Sequence, residues 1–244
     1  MLKLYIPLST NMVYPQNNKA FFKTKTMKYL IFIFGVITFS CNSCDPLGIK
    51  DKCERDYSFS IPVTLSPALD TFHVGDTIHI SMEFPIEMED KNSGEMYDMS
   101  DFNFNTEIGI AKIDTNPAIG GDPFVEYIEK VGKLNFVPLT GGGTAVFIEF
   151  EKSTSNFLFS CDIILNGEGL FALGYSSFFD DDFLEIIDES CKTTSIIMNY
   201  NLTPEGGDGD SNYEHLQYSL DLRHKNYSNE EFSAYGGFVF FVIE

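Results

Sequence analysis

From residue 56 onward, apolar and polar positions alternate in short runs broken by turn residues. Residues 57–65 (YSFSIPVTL), 77–84 (TIHISMEF), 144–151 (TAVFIEFE) and 157–165 (FLFSCDIIL) have a period of two, which sends successive side chains to opposite faces of a strand. Pro62 inside the first run and Pro67 just after it predict an edge or bent strand, because proline cannot donate to a ladder. Further strands are expected over 70–74, across 102–113, and over 170–175 and 193–202. Residues 124–128 and 133–137 flank Gly132 and read as a hairpin. The acidic, turn-rich stretch 85–99 reads as a loop. The last run, 238–243 (FVFFVI), has no polar alternate and suits a strand buried on both faces.

Ser211 with Glu214, and Ser228 with Glu231, stand in capping-box spacing, where the serine side chain and the acid three residues on satisfy each other's backbone donors. They predict short helices over 212–220 and 229–234. For the first of these, the alternation of Leu216, Tyr218, Leu220 and Leu222 offers a strand instead. The expected fold is mainly β: an antiparallel β-sandwich with one or two short helices near the C-terminus. An immunoglobulin-like form is among the candidates, although a chain with no Trp lacks the antibody-type hallmark. The 24 Phe supply the core area that Trp and aliphatic residues supply elsewhere.

A different texture precedes the strands. Residues 27–44 read MKYLIFIFGVITFSCNSC. One Lys is followed by an apolar run that falls short of the ~20 residues needed to span a bilayer, and then by small residues and cysteine. This is the pattern of an export signal. It resembles a bacterial lipoprotein signal, with Ser40 and Cys41 at its last two positions. The resemblance implies that Cys41 is acylated, and that the chain is held to a membrane by lipid on the periplasmic or surface face of a bacterial outer membrane. Residues 1–26 hold Lys3, Lys19, Lys23 and Lys25 and no acid, so translation from Met27 with an upstream extension outside the fold is expected. Residues 27–40 are then the signal, 41–55 a tether and 56–244 the domain. This layout is similar to small surface lipoproteins of Gram-negative bacteria.

Charge and cysteine narrow the options further. All 36 acidic residues but only eleven of the 16 basic ones lie beyond Ser40, a formal charge of −25. Such a surface repels phosphate backbones and excludes nucleic acid as a partner. Five cysteines leave one over, and acylation of Cys41 accounts for it. Proximity in sequence favours Cys44 with Cys53 and Cys161 with Cys191 as disulfides. The alternative for Cys161 is a buried thiol.

Little chemistry stands out. Asp208, Asp210 and Asn212 alternate as the first ligands of a calcium loop do, but Tyr213 and Ser219 occupy the positions where an EF-hand needs Gly and Glu. No other cofactor is implied. A secreted hydrolase is disfavoured: Gly174 to Phe178 is no GxSxG elbow, no HExxH occurs, and His73, His79, His215 and His224 have no partner at fixed spacing. The chain therefore reads as a binding or structural module of the cell envelope rather than an enzyme, with an unidentified protein or a surface glycan as its partner. Tyr127, Tyr175, Tyr200, Tyr213, Tyr218, Tyr227 and Tyr235 are the candidate stacking faces. A glycan binder should show exposed aromatics in a groove, and an assembly protein an exposed strand edge or apolar patch. Cys41→Ala should release the chain from membranes and abolish uptake of labelled fatty acid. If the unaltered chain takes up no label either, the anchor reading fails.

Overall fold

A computed structural model describes residues 53–140, 143–177, 179, 192–207 and 211–244. The alternating runs become strands whose burial alternates with them. In β12 (Asn156–Leu165) every second side chain from Phe157 to Leu165 is buried. β1 (Glu54–Ser66) and β3 (Thr77–Pro85) repeat the pattern, turning Phe59, Ile61, Ile78 and Ile80 inward. With β8 (Val125–Val131), β11 (Glu151–Lys152) and β14 (Lys192–Pro204) they form one sheet. In it β12 pairs with β11 and β8 on one side and β3 on the other; β3 pairs with β1, and β1 with β14.

The second sheet runs from β2 (Thr71–His73) through β15 (Phe238–Ile243), β13 (Gly169–Ser177), β6 (Thr106–Lys112) and β10 (Thr144–Glu149) to β9 (Lys133–Pro138). The two-residue β7 (Ile119–Gly120) pairs with β6, and β4 (Glu87–Glu89) and β5 (Met96–Asp98) make a small hairpin inside the stretch expected to be loop. The inner faces of the two large sheets share one hydrophobic core, so the expected mainly-β sandwich is the fold. Two pairings depart from the antiparallel expectation. β1 runs parallel to β14 from Glu54 to Leu65, and β15 runs parallel to β2.

Other departures have local causes. β8 and β9 are consecutive but do not form the expected hairpin: β8 pairs with β12 and β9 with β10, in different sheets. Gly132 makes the crossing at φ +74°, so close to the neighbouring strand that a Cβ would stand 2.6 Å from the Glu149 carbonyl. Pro62 does not mark an outer strand, since β1 lies between β3 and β14. The β1–β3 ladder covers only Thr64 to Ser66. Further up that side, Ser58 donates its N–H to Asp90 (2.8 Å) and accepts from the Lys91 N–H (2.7 Å). Backbone direction alternates along a strand, so the missing Pro62 donor falls on this unladdered side.

The helical predictions divide. α2 (Asn229–Ala234) follows α1 (Leu222–Lys225) and carries the complete capping box. Ser228 Oγ accepts from the Glu231 N–H (3.1 Å), and a Glu231 carboxylate oxygen accepts from the Ser228 N–H (2.9 Å). The expected helix over 212–220 is instead a 3-10 helix, Tyr213–Tyr218, with Asn212 rather than Ser211 at its N-cap at φ +55°. That left-handed residue takes the backbone out of the geometry a capping box needs.

Cys161 sits on the inward face of β12 as a buried free thiol, and burial pushes its pKa up to about 12. This corrects the Cys161–Cys191 pairing. The Cys161 side chain lies on an inward position of β12, enclosed by the apolar residues of the core. Cys41, Cys44 and Cys191 lie outside the described residues.

The core depends on phenylalanine. The Phe84 ring centre lies 5.2 Å from that of Phe104, 5.1 Å from Phe150 and 5.3 Å from Phe157, the first two edge-on. Phe84→Ala should cost about 3–5 kcal/mol in chemical denaturation, with an unchanged denaturant slope. A loss below 1 kcal/mol would mean that this cluster is not where the stability resides.

Candidate functional site

The site begins with what the last strand needs. β15 is apolar on both faces: Phe238, Phe240 and Val242 enter the sandwich, while Val239 points to the outer face of its sheet. There Val239 joins Ile113 and Leu170 of the sheet, and Leu216 and Phe232 of the C-terminal segment, in a second small core. The 3-10 helix and α2, with α1 between them, are thus held as a cap over part of the outer face. Asn212 fastens the start of the cap. It is buried, and its side-chain amide donates to the Val239 carbonyl (2.9 Å). Asp221 fastens the middle, accepting from the Ala118 N–H (3.0 Å) and from Arg223, which holds its carboxyl well below the usual carboxylate range.

Where the cap stops, a cleft of about 310 Å³ remains between it and the sheet. Its floor is made of small residues, because the outward positions of β6 and β13 are Gly109 and Ala111 opposite Gly174 and Ala172. Its wall is aromatic. The Tyr227 ring centre is 6.3 Å from that of His224 and 6.4 Å from that of Tyr235, whose ring is nearly perpendicular to it. Tyr235 is 48% exposed, yet its backbone is fixed. Its carbonyl accepts from the Tyr175 N–H (2.8 Å), and it bridges to Tyr200 of β14. Gly236 follows at φ +58°, with room for a Cβ only 3.0 Å from the Tyr175 and Tyr200 side chains.

Two titratable groups line the cleft. Glu107 is half-buried. Desolvation raises its pKa, the Ser176 hydroxyl opposes that shift, and Asp122 adds to it as a like charge. Burial lowers the His224 pKa and favours the uncharged imidazole, whose Nδ1 is buried with no hydrogen-bond partner among the described residues. The cleft is therefore mainly apolar and aromatic, with one carboxyl at its edge.

A second surface feature lies at the far edge of the same sheet. β9 is an edge strand, and its Phe136 and Val137, with Leu139 just after it, are each about half exposed.

The structure distributes the sequence candidates unevenly. Of the seven tyrosines, Tyr175 and Tyr200 are buried in the sandwich, and the Tyr127 hydroxyl is enclosed as well. Tyr213 donates to the Tyr227 carbonyl (2.5 Å), and Tyr227 and Tyr235 line the cleft. Asp208 and Asp210 lie outside the described residues, and no cluster of metal-ligating side chains occurs among the described ones. His79 faces away from Ile78 and Ile80, as the alternation requires, and pairs with Asp162, which Lys130 also contacts at 2.9 Å. No hydroxyl or thiol is hydrogen-bonded to the other nitrogen of His79 among the described residues. Glu107 was not singled out in the sequence. Its signal was the acid–Gly–Ala alternation at 107, 109 and 111, which marks a strand face of small residues beside one acid.

No known family profile matches the chain, and no curated protein does. Among solved structures it shows a slight similarity to a type II cohesin domain from the cellulosome of Acetivibrio cellulolyticus. The identity is 10% and the TM-score 0.25, over 50% of this chain and 76% of that one. A type II cohesin dyad from the adaptor scaffoldin ScaA of the same organism is similar at 13% identity and TM-score 0.25, over 59% of this chain and 46% of that one. At that level neither carries a residue or a role across.

A carboxyl whose pKa is raised in the fold favours the native state only while protonated, and that advantage is lost as pH rises through the folded pKa. Glu107→Gln should therefore raise the melting temperature at pH 7 by about 1–3 °C and leave it unchanged near pH ~3.5. Thermal melts at the two pH values decide. An equal gain at both would show that the Glu107 charge is not strained in the fold.

Proposed function

We propose that this chain is a non-catalytic binding module, exported and anchored through acylated Cys41, whose partner is another protein of the cell envelope. The cleft beside Tyr235 is the observation that carries this reading. It is an exposed aromatic wall on a fixed backbone, facing a floor of glycine and alanine, and its size suits one large side chain. Binding sites of this kind join apolar walls to a few placed polar groups. A glycan is the weaker occupant, because its many hydroxyls need hydrogen-bond partners that a mainly apolar lining does not supply. The half-exposed β9 edge favours a second, structural role in which neighbouring chains pair strand to strand.

A photo-crosslinking residue at Tyr235, in cells making the anchored chain, should trap one discrete protein. The same residue at Glu83, on the other sheet, should trap none. If Tyr235 yields only dispersed products, or the two positions yield the same band, the cleft is not the contact. A band from Phe136 alone would move the reading to the β9 edge.

A further inference from the structure

We propose that the cleft between the C-terminal cap and the outer face of β6 and β13 receives an arginine side chain of the partner protein, with Glu107 as its counter-charge. This rests on the binding-module reading above and names the chemistry that the same site would select.

The argument starts from an imbalance. Glu107 stands half-buried at an apolar cleft, and its electrostatic neighbours are a hydroxyl, Ser176, and a like charge, Asp122. No basic side chain acts on it among the described residues. A carboxylate placed so costs stability in the free protein unless a cation arrives to compensate it. Three other acids drawn into the fold are satisfied internally. Asp221 has Arg223, Asp162 has Lys130 and His79, and Asp90 has three hydrogen-bonding neighbours. Among the described residues Glu107 stands out as a half-buried acid on which no cation acts.

The surroundings select the kind of cation. Tyr227, Tyr235 and His224 offer ring faces and edges, and burial disfavours the charged form of His224, so the imidazole does not compete for Glu107 as a cation. A guanidinium stacks on aromatic rings and meets a carboxylate through two parallel N–H donors. An ammonium is more strongly hydrated and gains less from such walls. The three-carbon stem of arginine suits the apolar floor at Ala111 and Ala172. Charge complementarity points the same way, since a chain of formal charge −25 beyond Ser40 steers basic partners towards it.

The test uses the full chain labelled with ¹³C at alanine methyls. Ala111 and Ala172 report the cleft, and the buried Ala68 and Ala145 serve as references. N-acetyl-L-argininamide should shift the Ala111 and Ala172 methyls in a saturable titration and leave Ala68 and Ala145 in place. N-acetyl-L-leucinamide should bind about tenfold more weakly or not at all, and Glu107→Gln should weaken the argininamide about tenfold, as loss of a charge-assisted pair does. Tyr235→Leu, which leaves the carboxylate in place, should weaken it several-fold. Equal affinity of the argininamide for Glu107→Gln would overturn the proposal. Tighter binding of the leucinamide would also overturn it while leaving a binding cleft. Tighter binding of free L-arginine than of the blocked residue would replace the protein side chain with a free amino acid. If no probe moves either methyl, the binding-module reading falls with the proposal.

Discussion

Strand β15 imposes the condition that shapes the molecule. Its residues are apolar on both faces, and a sandwich ordinarily buries only one. Val239 therefore has to be covered from outside the sandwich, and the chain covers it with its own 3-10 helix and two short helices. That cover is short, and it lies over a sheet face whose outward residues are glycine and alanine. A cap resting on small residues cannot close against them along its whole length. The cleft is what remains between a surface that must be covered and a cover that ends early.

This origin explains why the cleft is well formed without being part of the main core. Its aromatic wall is held from behind. Tyr235 is tied by backbone to strands of both sheets, and Tyr227 follows α1, whose N-cap Asp221 is clasped by Arg223 and Ala118. The floor is central sheet. Rigid elements thus surround an opening that contributes little to the packing of the protein itself. Glu107 fits the same account, because a carboxylate at a desolvated edge weakens the free fold.

The strands that could be read from the chain are those with a strict period of two. β1, β3 and β12 are legible because alternation of Tyr57 to Leu65, Ile78 to Phe84 and Phe157 to Leu165 is a local property. α2 is legible for the same reason, since Ser228 and Glu231 complete their box within four residues. Pairing is not local. Nothing near residue 58 announces that β1 will lie parallel to a strand some 140 residues later. Gly132 signals a turn, but not that the turn leads into the other sheet. At the site, Tyr227 and Tyr235 were visible only as two of seven tyrosines, because exposure is decided by the cap and not by residue type. Glu107 was hidden because its place at the cleft is set by the pairing of β6 with β13, which is not local.

The parallel pairing of β1 with β14 has a mechanical meaning. Any tether to a membrane leads into the fold at the N-terminal end of β1, immediately beyond residue 53. A pull from that end acts along the axis of β1 and so along the whole ladder, which runs in register from Glu54 to Leu65 apart from one bulge at Arg55 and Asp56. Hydrogen bonds loaded in this direction share the load and must shear together, whereas bonds loaded at a hairpin end open one after another. Tension entering at β1 is thus carried by the β1–β14 ladder as a whole. The cap and the cleft lie on the opposite sheet, off the line of that pull.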